Sequence, residues 1–308
     1  MSYDRIKVVK GFFAGQRMKG IHGAIGTGDI DTDVGIALGL ASKGWANKGE
    51  GGVPVALPYV TFTSISGSIT LRAGDGKHWD GIIEYSYDGA TWNEWDGTTI
   101  TGETIILRGK GNSYLAGSTQ MSSNQYSWNF GGSATSVRCS GNMETLLDYR
   151  KVRQNIHPTM AKYCFQWLFA NSPIITPPEL PAETLSIGCY AHMFSGSDIY
   201  TPPALPAHSI PFEAYFAMFM RCNSLSSLPK LEATSYGVDS CCLMFSDCTG
   251  ILLSETQSAW YRNEYRIPAA GTGSFSSGAL DDMFLSTGGS FTGTPAGNTA
   301  YYTSNNVI

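Results

Sequence analysis

The residues that first invite a chemical reading are Asp29, Asp31 and Asp33, three carboxylates at alternate positions in Asp29-Ile-Asp31-Thr-Asp33-Val-Gly35. A hard cation such as calcium wants several oxygens of this kind. The glycine comes one residue late for a twelve-residue calcium loop, and Leu40 stands where a bidentate Glu belongs. The run therefore reads as a solvated acidic loop with a partial calcium character, and no metal or other cofactor is expected. His22, His78, His157, His192 and His208 have no metal-like spacing, and none accompanies a nucleophile-elbow serine. The seven cysteines offer no Cys-x-x-Cys with a second pair, as a zinc site would need. Gly26-Thr-Gly28 and Gly109-Lys-Gly111 lack the third glycine and the Lys-Ser/Thr of a phosphate-binding loop, and read as turns. Asp80, Glu84 and Asp88 could supply carboxylates to a glycoside hydrolase, yet no paired acid and base can be read among them. The chain is expected not to be an enzyme.

The elements that must position these groups follow from composition and pattern. In 308 residues, 42% are hydrophobic, so a core can form and general disorder is excluded. Only 15% are charged and 36 are glycine, which favours turns and repeats over long charged helices. A net charge of −5 gives no global attraction to phosphate backbones, so no nucleic-acid partner is expected. No apolar run is long enough to cross a membrane, and the patch Phe12-Phe13-Ala14 after the basic start is too short for a secretory signal. An odd number of cysteines in such a chain points to reduced thiols.

Three regions succeed one another. Residues 1–55 hold twelve glycines and a basic start, Arg5, Lys7, Lys10, Arg17 and Lys19, and are expected to anchor the chain to a partner or a second copy. Residues 56–139 carry short β-forming runs separated by turn clusters and read as a small antiparallel β-sandwich. Within it, Ser86-Tyr-Asp88-Gly-Ala-Thr-Trp92 looks like a shortened Asp-box, a hairpin in which Asp caps a tight turn above a Trp. Trp79, Tyr87, Trp92 and Trp95 form a candidate carbohydrate-stacking platform.

Residues 140–308 repeat themselves. The anchors Phe169, Phe194, Phe219, Phe245 and Phe284 recur at intervals of 25, 25, 26 and, across an insertion, 39. A Pro-rich leg follows each of the first three, as in Pro178-Glu-Leu180-Pro and Pro203-Ala-Leu205-Pro. In the segment before each leg, Leu185, Cys189 and Met193 fall at i, i+4 and i+8, which predicts a helix with one buried face. One helix and one extended leg per unit predict a stacked solenoid. Cysteines occupy one of two small-residue slots, five before or three after the anchor Phe, where compact thiols pack between units. Gln166, Trp167, His192 and Phe216 stand at positions that change polarity between repeats, and are the candidate exposed ligand-binding stripe.

Gly188-Cys-Tyr-Ala-His-Met-Phe-Ser-Gly196 with its Pro-x-Leu-Pro-Ala leg resembles the leucine-rich repeats of the BspA-like family, and the ending from Met283 to Asn305 is similar to the closing repeat of those arrays. Glu84-Tyr-Ser-Tyr-Asp-Gly-Ala-Thr-Trp92 also resembles the small β-domain that precedes such arrays in gut bacteria and their phages. The first 55 residues match nothing in the family; with that Gly-rich N-terminal anchor, the resemblance implies an α+β multidomain chain whose remainder is a small antiparallel β-sandwich and a C-terminal BspA-like leucine-rich-repeat solenoid with a C-terminal cap. It implies adhesion or recognition rather than chemistry. Bacterial members usually carry an export signal or an anchor, which a phage protein does not need. The expectation is therefore a homo-oligomeric bacteriophage virion protein, a head or tail fibre or adhesin assembled in the host cytoplasm. Its expected partners are capsid or tail proteins and a bacterial surface or glycan. The alternative is a carbohydrate-binding or bacterial cell-surface adhesion module.

Overall fold

The computed structural model describes residues 59–116, 127–268 and 274–304. The chain divides after Pro58, and Tyr59–Ile308 is one compact unit. The expected anchor segment 1–55 lies outside the described residues.

Period-two alternation builds the first half. β6 (Thr104–Lys110) turns Ile105, Leu107 and Gly109 inward and Ile106, Arg108 and Lys110 outward, and β1 (Val60–Ser64) buries Val60 and Phe62 in the same way. They join β3 (Ile82–Ser86), β4 (Asn93–Trp95), β8 (Val137–Ser140) and β9 (Ile174–Thr176) in a six-stranded sheet ordered β4-β3-β6-β1-β8-β9. A second sheet orders β5 (Ile100–Gly102), β2 (Ile69–Ala73) and β7 (Trp128–Gly132) as β5-β2-β7. The two meet where Phe62 packs edge-on to Phe130 at 5.3 Å and Trp95 to Trp128 at 5.1 Å. Helix α1 (Glu144–Val152) lies on β6 so closely that a Cβ on Gly109 would collide with the carbonyl of Leu146. No break in packing separates this half from the repeats, because β9 pairs in parallel with β8 and Phe62 touches Phe169 at 5.7 Å.

The repeats continue from there. The anchors Phe169, Phe194, Phe219, Phe245 and Phe284 are all buried, with successive ring centroids 5.5–5.8 Å apart. Their spacing returns in a parallel sheet in which β10 (Ser209–Ile210) pairs with β11 (Ser235–Tyr236), one repeat on, and β11 with β14 (Ser274–Phe275), across the insertion. Finally, β12 (Leu252–Ser254), β13 (Asn263–Arg266), β15 (Gly288–Gly289) and β16 (Ala300–Thr303) form a last sheet ordered β13-β16-β12-β15.

The expected α+β multidomain architecture with a helix-and-leg solenoid is overturned. Strand makes up 28% and helix 4%, with one α-helix and four small sheets among the described residues, none of them solenoid-like. The segment from Glu183 to Phe194 is not a helix but, over most of its length, a run of turns. In such runs every fourth residue is left-handed: Tyr163, Trp167 and Asn171, then Gly188, His192 and Gly196, and so on to Gly278, Asp282 and Ser286, with φ between 48° and 71°. Twelve of the 14 non-glycine residues with positive φ among the described residues belong to this pattern. A left-handed residue costs about 1–2 kcal/mol and cannot sit inside an α-helix. The cost is offset by ordered pairing: the N–H groups of Tyr163, Phe165, Trp167, Phe169 and Asn171 donate to carbonyls of the next repeat at 2.8–3.0 Å, while Gln166, Leu168 and Ala170 donate to carbonyls one turn back. Two hydrogen-bond directions alternate along one strip, so no backbone donor among these depends on a helix.

Candidate functional site

The predicted binding stripe lies within the turn columns. Gln166 is buried, Trp167 and Phe216 are half-buried, and His192 is 7% exposed. Trp167 stacks on His192 at 3.8 Å and 5° between planes, and Phe216 closes on the other side at 5.3 Å, edge-on. Burial pushes the His192 imidazole down to about 4, so its ring is neutral near pH 7 and serves as a flat spacer. The structure brings three of the four residues into one row as packing, ring against ring. Polarity varies along this column because its outer edge is wet at Asp282, which is exposed, and dry at His192.

The predicted sugar platform is dispersed. Trp79 and Trp95 are buried and stacked at 5.2 Å, with Trp128 against both, so they are core. Tyr87 is exposed and stands edge-on to Tyr85. Trp92 is half-buried, and its face is taken by the Arg108 guanidinium at 3.8 Å. Tyr149 at 4.6 Å and Tyr59 at 5.7 Å complete an aromatic cage that already holds its own cation.

The Asp-box residues show why Trp92 sits there. One Asp88 oxygen accepts the N–H groups of Ala90 and Thr91 at 2.9 and 2.8 Å and the Ser86 hydroxyl at 2.9 Å. These hydrogen bonds, Thr91 first, hold the carboxyl down to about 2. Trp92 Nε1 then donates to the Gly89 carbonyl at 3.2 Å, which fixes the indole over Arg108. Glu84 accepts from Arg108 Nε at 2.7 Å and from Lys110 Nζ at 2.6 Å. Burial would raise this carboxyl, but the bonds from Lys110 and Arg108 outweigh it and hold it below its ordinary value. Asp80 accepts the Ser113 N–H at 2.8 Å. Each of the three carboxylates ties strands or turns together.

Asp29, Asp31 and Asp33 lie outside the described residues. Among the described residues no group of three or more His, Cys, Asp or Glu side chains is placed to hold a metal ion. The cysteines are free thiols, all buried except half-buried Cys242. Cys222 donates to the Phe194 carbonyl at 3.0 Å and Cys248 to the Phe219 carbonyl at 2.9 Å, each reaching back one repeat. Burial pushes Cys189, Cys222 and Cys241 up to about 12, which removes nucleophilic thiolate near neutral pH. No helix among the described residues is long and apolar enough to cross a membrane.

Two outward-facing features do not follow from the repeat anchors. The first is a groove of about 510 Å³ between consecutive legs, walled by Pro177, Pro178, Pro181, Pro202, Pro203 and Pro206, with Tyr200 in its lining and Glu179 its only charged group. Proline fixes its own φ and has no N–H, so the walls are preset and poor in donors. Tyr200 is 41% exposed. The legs were legible as extended segments, but their pairing into one concave surface depends on the stacking offset. The second feature is Trp260, 82% exposed, in the insertion that lengthens the last anchor spacing. No known protein family, curated protein or solved structure matches the chain.

Proposed function

We propose that this chain is a non-catalytic structural protein of a bacteriophage virion, a head or tail fibre or adhesin, whose repeats present a recognition surface. The observation that carries the reading is the proline-walled groove. Its volume falls in the range of ligand sites, about 300–1,000 Å³, and its walls lose little freedom when a ligand enters. The groups lining it include no nucleophile beside a base and no pair of carboxylates. The motif resemblance of Gly188–Gly196 to BspA-like repeats supports the same class of role, adhesion without chemistry. In this reading residues 1–55 join the chain to capsid or tail proteins, and copies act together as a homo-oligomer so that weak contacts add. The protein would be assembled in the host cytoplasm and reside in the virion.

Mass spectrometry and cryo-EM of purified particles test the proposal. The chain is expected at symmetry-related positions on a head or tail, with the repeats outward. Its absence from particles that retain their full protein complement would overturn the reading. A cell-surface adhesion or carbohydrate-binding module is the second reading, favoured by exposed Trp260.

A further inference from the structure

The insertion between the fourth and fifth anchors leaves six consecutive exposed residues, Glu255 to Trp260. Exposed runs of this kind usually fray, yet this one is held along its length. Ser254 Oγ donates to the Thr256 carbonyl and accepts the Thr256 N–H, both at 3.0 Å. Ser258 Oγ accepts the N–H groups of Trp260 and Tyr261 at 3.2 and 3.3 Å, and the Ser258 N–H returns to the Tyr261 carbonyl at 3.1 Å. Arg262 Nε donates to the Ala259 carbonyl at 2.7 Å. The flanking strands β12 and β13 both pair with β16, whose Tyr301 is buried in the core. A tight, stapled turn thus carries the most exposed large apolar side chain among the described residues on a rigid frame.

The size and charge of the surface narrow what it fits. A Trp side chain offers about 150–250 Å², so one indole supplies far less than the roughly 800 Å² per partner of a stable protein interface. One flat ring of a small ligand matches it. The nearby cations are already engaged: Arg266 pairs with Glu264 at 2.6 Å, and Arg262 turns back onto the Ala259 carbonyl. Arg262 keeps its charge in that bond, and Glu255 balances it in number; with Arg266 paired to Glu264 the turn carries no net charge, so it offers no net attraction to a phosphate, a sialylated sugar or an anionic lipid headgroup. A neutral pyranose presents an apolar C–H face to an indole and hydroxyls to flanking polar groups such as Gln257.

We infer that the Trp260 turn is a contact site for a neutral pyranoside, the C–H face of one sugar ring stacking on the exposed indole. This inference is independent of the groove. It is tested on the full chain with a printed array of neutral and acidic oligosaccharides, with phosphatidylglycerol vesicles and light scattering in parallel. Wild type is expected to bind at least one neutral pyranoside. Trp260→Ala should weaken that binding by about ten-fold or more, the scale of losing one stacked ring, and Trp260→Phe by much less. Both variants should unfold at the wild-type urea midpoint, because the side chain is solvent-exposed. Ile156→Ala, an exposed apolar side chain outside both surfaces, should leave the glycan signal unchanged. No glycan bound, equal binding by Trp260→Ala, or an equal loss with Ile156→Ala would each overturn the inference. So would Trp260-dependent binding to the vesicles or Trp260-dependent self-association, since either names a different partner.

Discussion

Replacing Gly188 with alanine probes the turn columns where they have least slack. Gly188 sits at φ +59° under the ring of Tyr163, and an added Cβ would fall on ring atoms Cε1 and Cδ1. Tyr163 crosses over this glycine to donate from its hydroxyl to Glu213 Oε2 at 2.8 Å, two repeats away. Burial and that carboxylate push the phenol up to about 12, so it remains a donor at any ordinary pH. Alanine must then adopt a left-handed conformation, at about 1–2 kcal/mol, and displace the ring, losing a hydrogen bond to a charged acceptor worth about 1.5–3 kcal/mol. The expected loss is about 2.5–5 kcal/mol, a large share of a stability of about 5–15 kcal/mol. Urea unfolding of the full chain reads it directly. In a Tyr163→Ala background the clash and the bond are already gone, so Gly188→Ala should cost only about 1–2 kcal/mol there. An undiminished cost in that background, or a cost below about 1 kcal/mol in wild type, would refute the column geometry.

Two further outcomes follow from buried groups. Glu144 is 1% exposed, with both oxygens on His157 Nδ1 at 2.9 and 2.8 Å, and burial raises its carboxyl above 4.5 despite that partner. A raised carboxyl favours the fold while protonated, and this contribution is lost as pH rises through the folded value. Glu144→Gln should therefore gain stability relative to wild type as pH rises from about 4.5 toward neutrality, measured by urea midpoints across that range; a pH-independent difference would contradict it. Among the seven thiols, half-buried Cys242, pushed up to about 11, should react first with a thiol reagent at pH 8, and the other six only on unfolding. Equal labelling of Cys164 or Cys189 in the native chain, read by mass spectrometry, would show that the interior is open.

Much of this order was legible in the spacing of particular residues. The regular anchor intervals place Phe169 to Phe284 in one column, and the small-residue slots hold buried thiols as packing. The helical expectation fails because Leu185, Cys189 and Met193 repeat at every fourth position, as a helical face does, whereas here a left-handed residue recurs at that interval. Left-handed φ at Trp167, Leu243 or Asp282 leaves no trace in residue type, since the inter-repeat bonds and not local propensity select it. Trp79 and Trp95 looked like a platform beside Trp92 because strand alternation does not say which face a second sheet will cover. Trp260 has a signal in the long final interval, but exposure of its ring depends on the pairing of β12 and β13, which flank its turn, with β16.

Adsorption tests most directly whether the repeats recognise rather than react. Under the proposed virion role, purified full chain, wild type or Tyr200→Ala, is mixed with host cells before the particles that would carry the protein are added, and free particles are counted. If the groove engages the host, wild-type chain blocks adsorption in a dose-dependent way and Tyr200→Ala, with unchanged stability, does not. Equal blocking by both, or by neither, would contradict it.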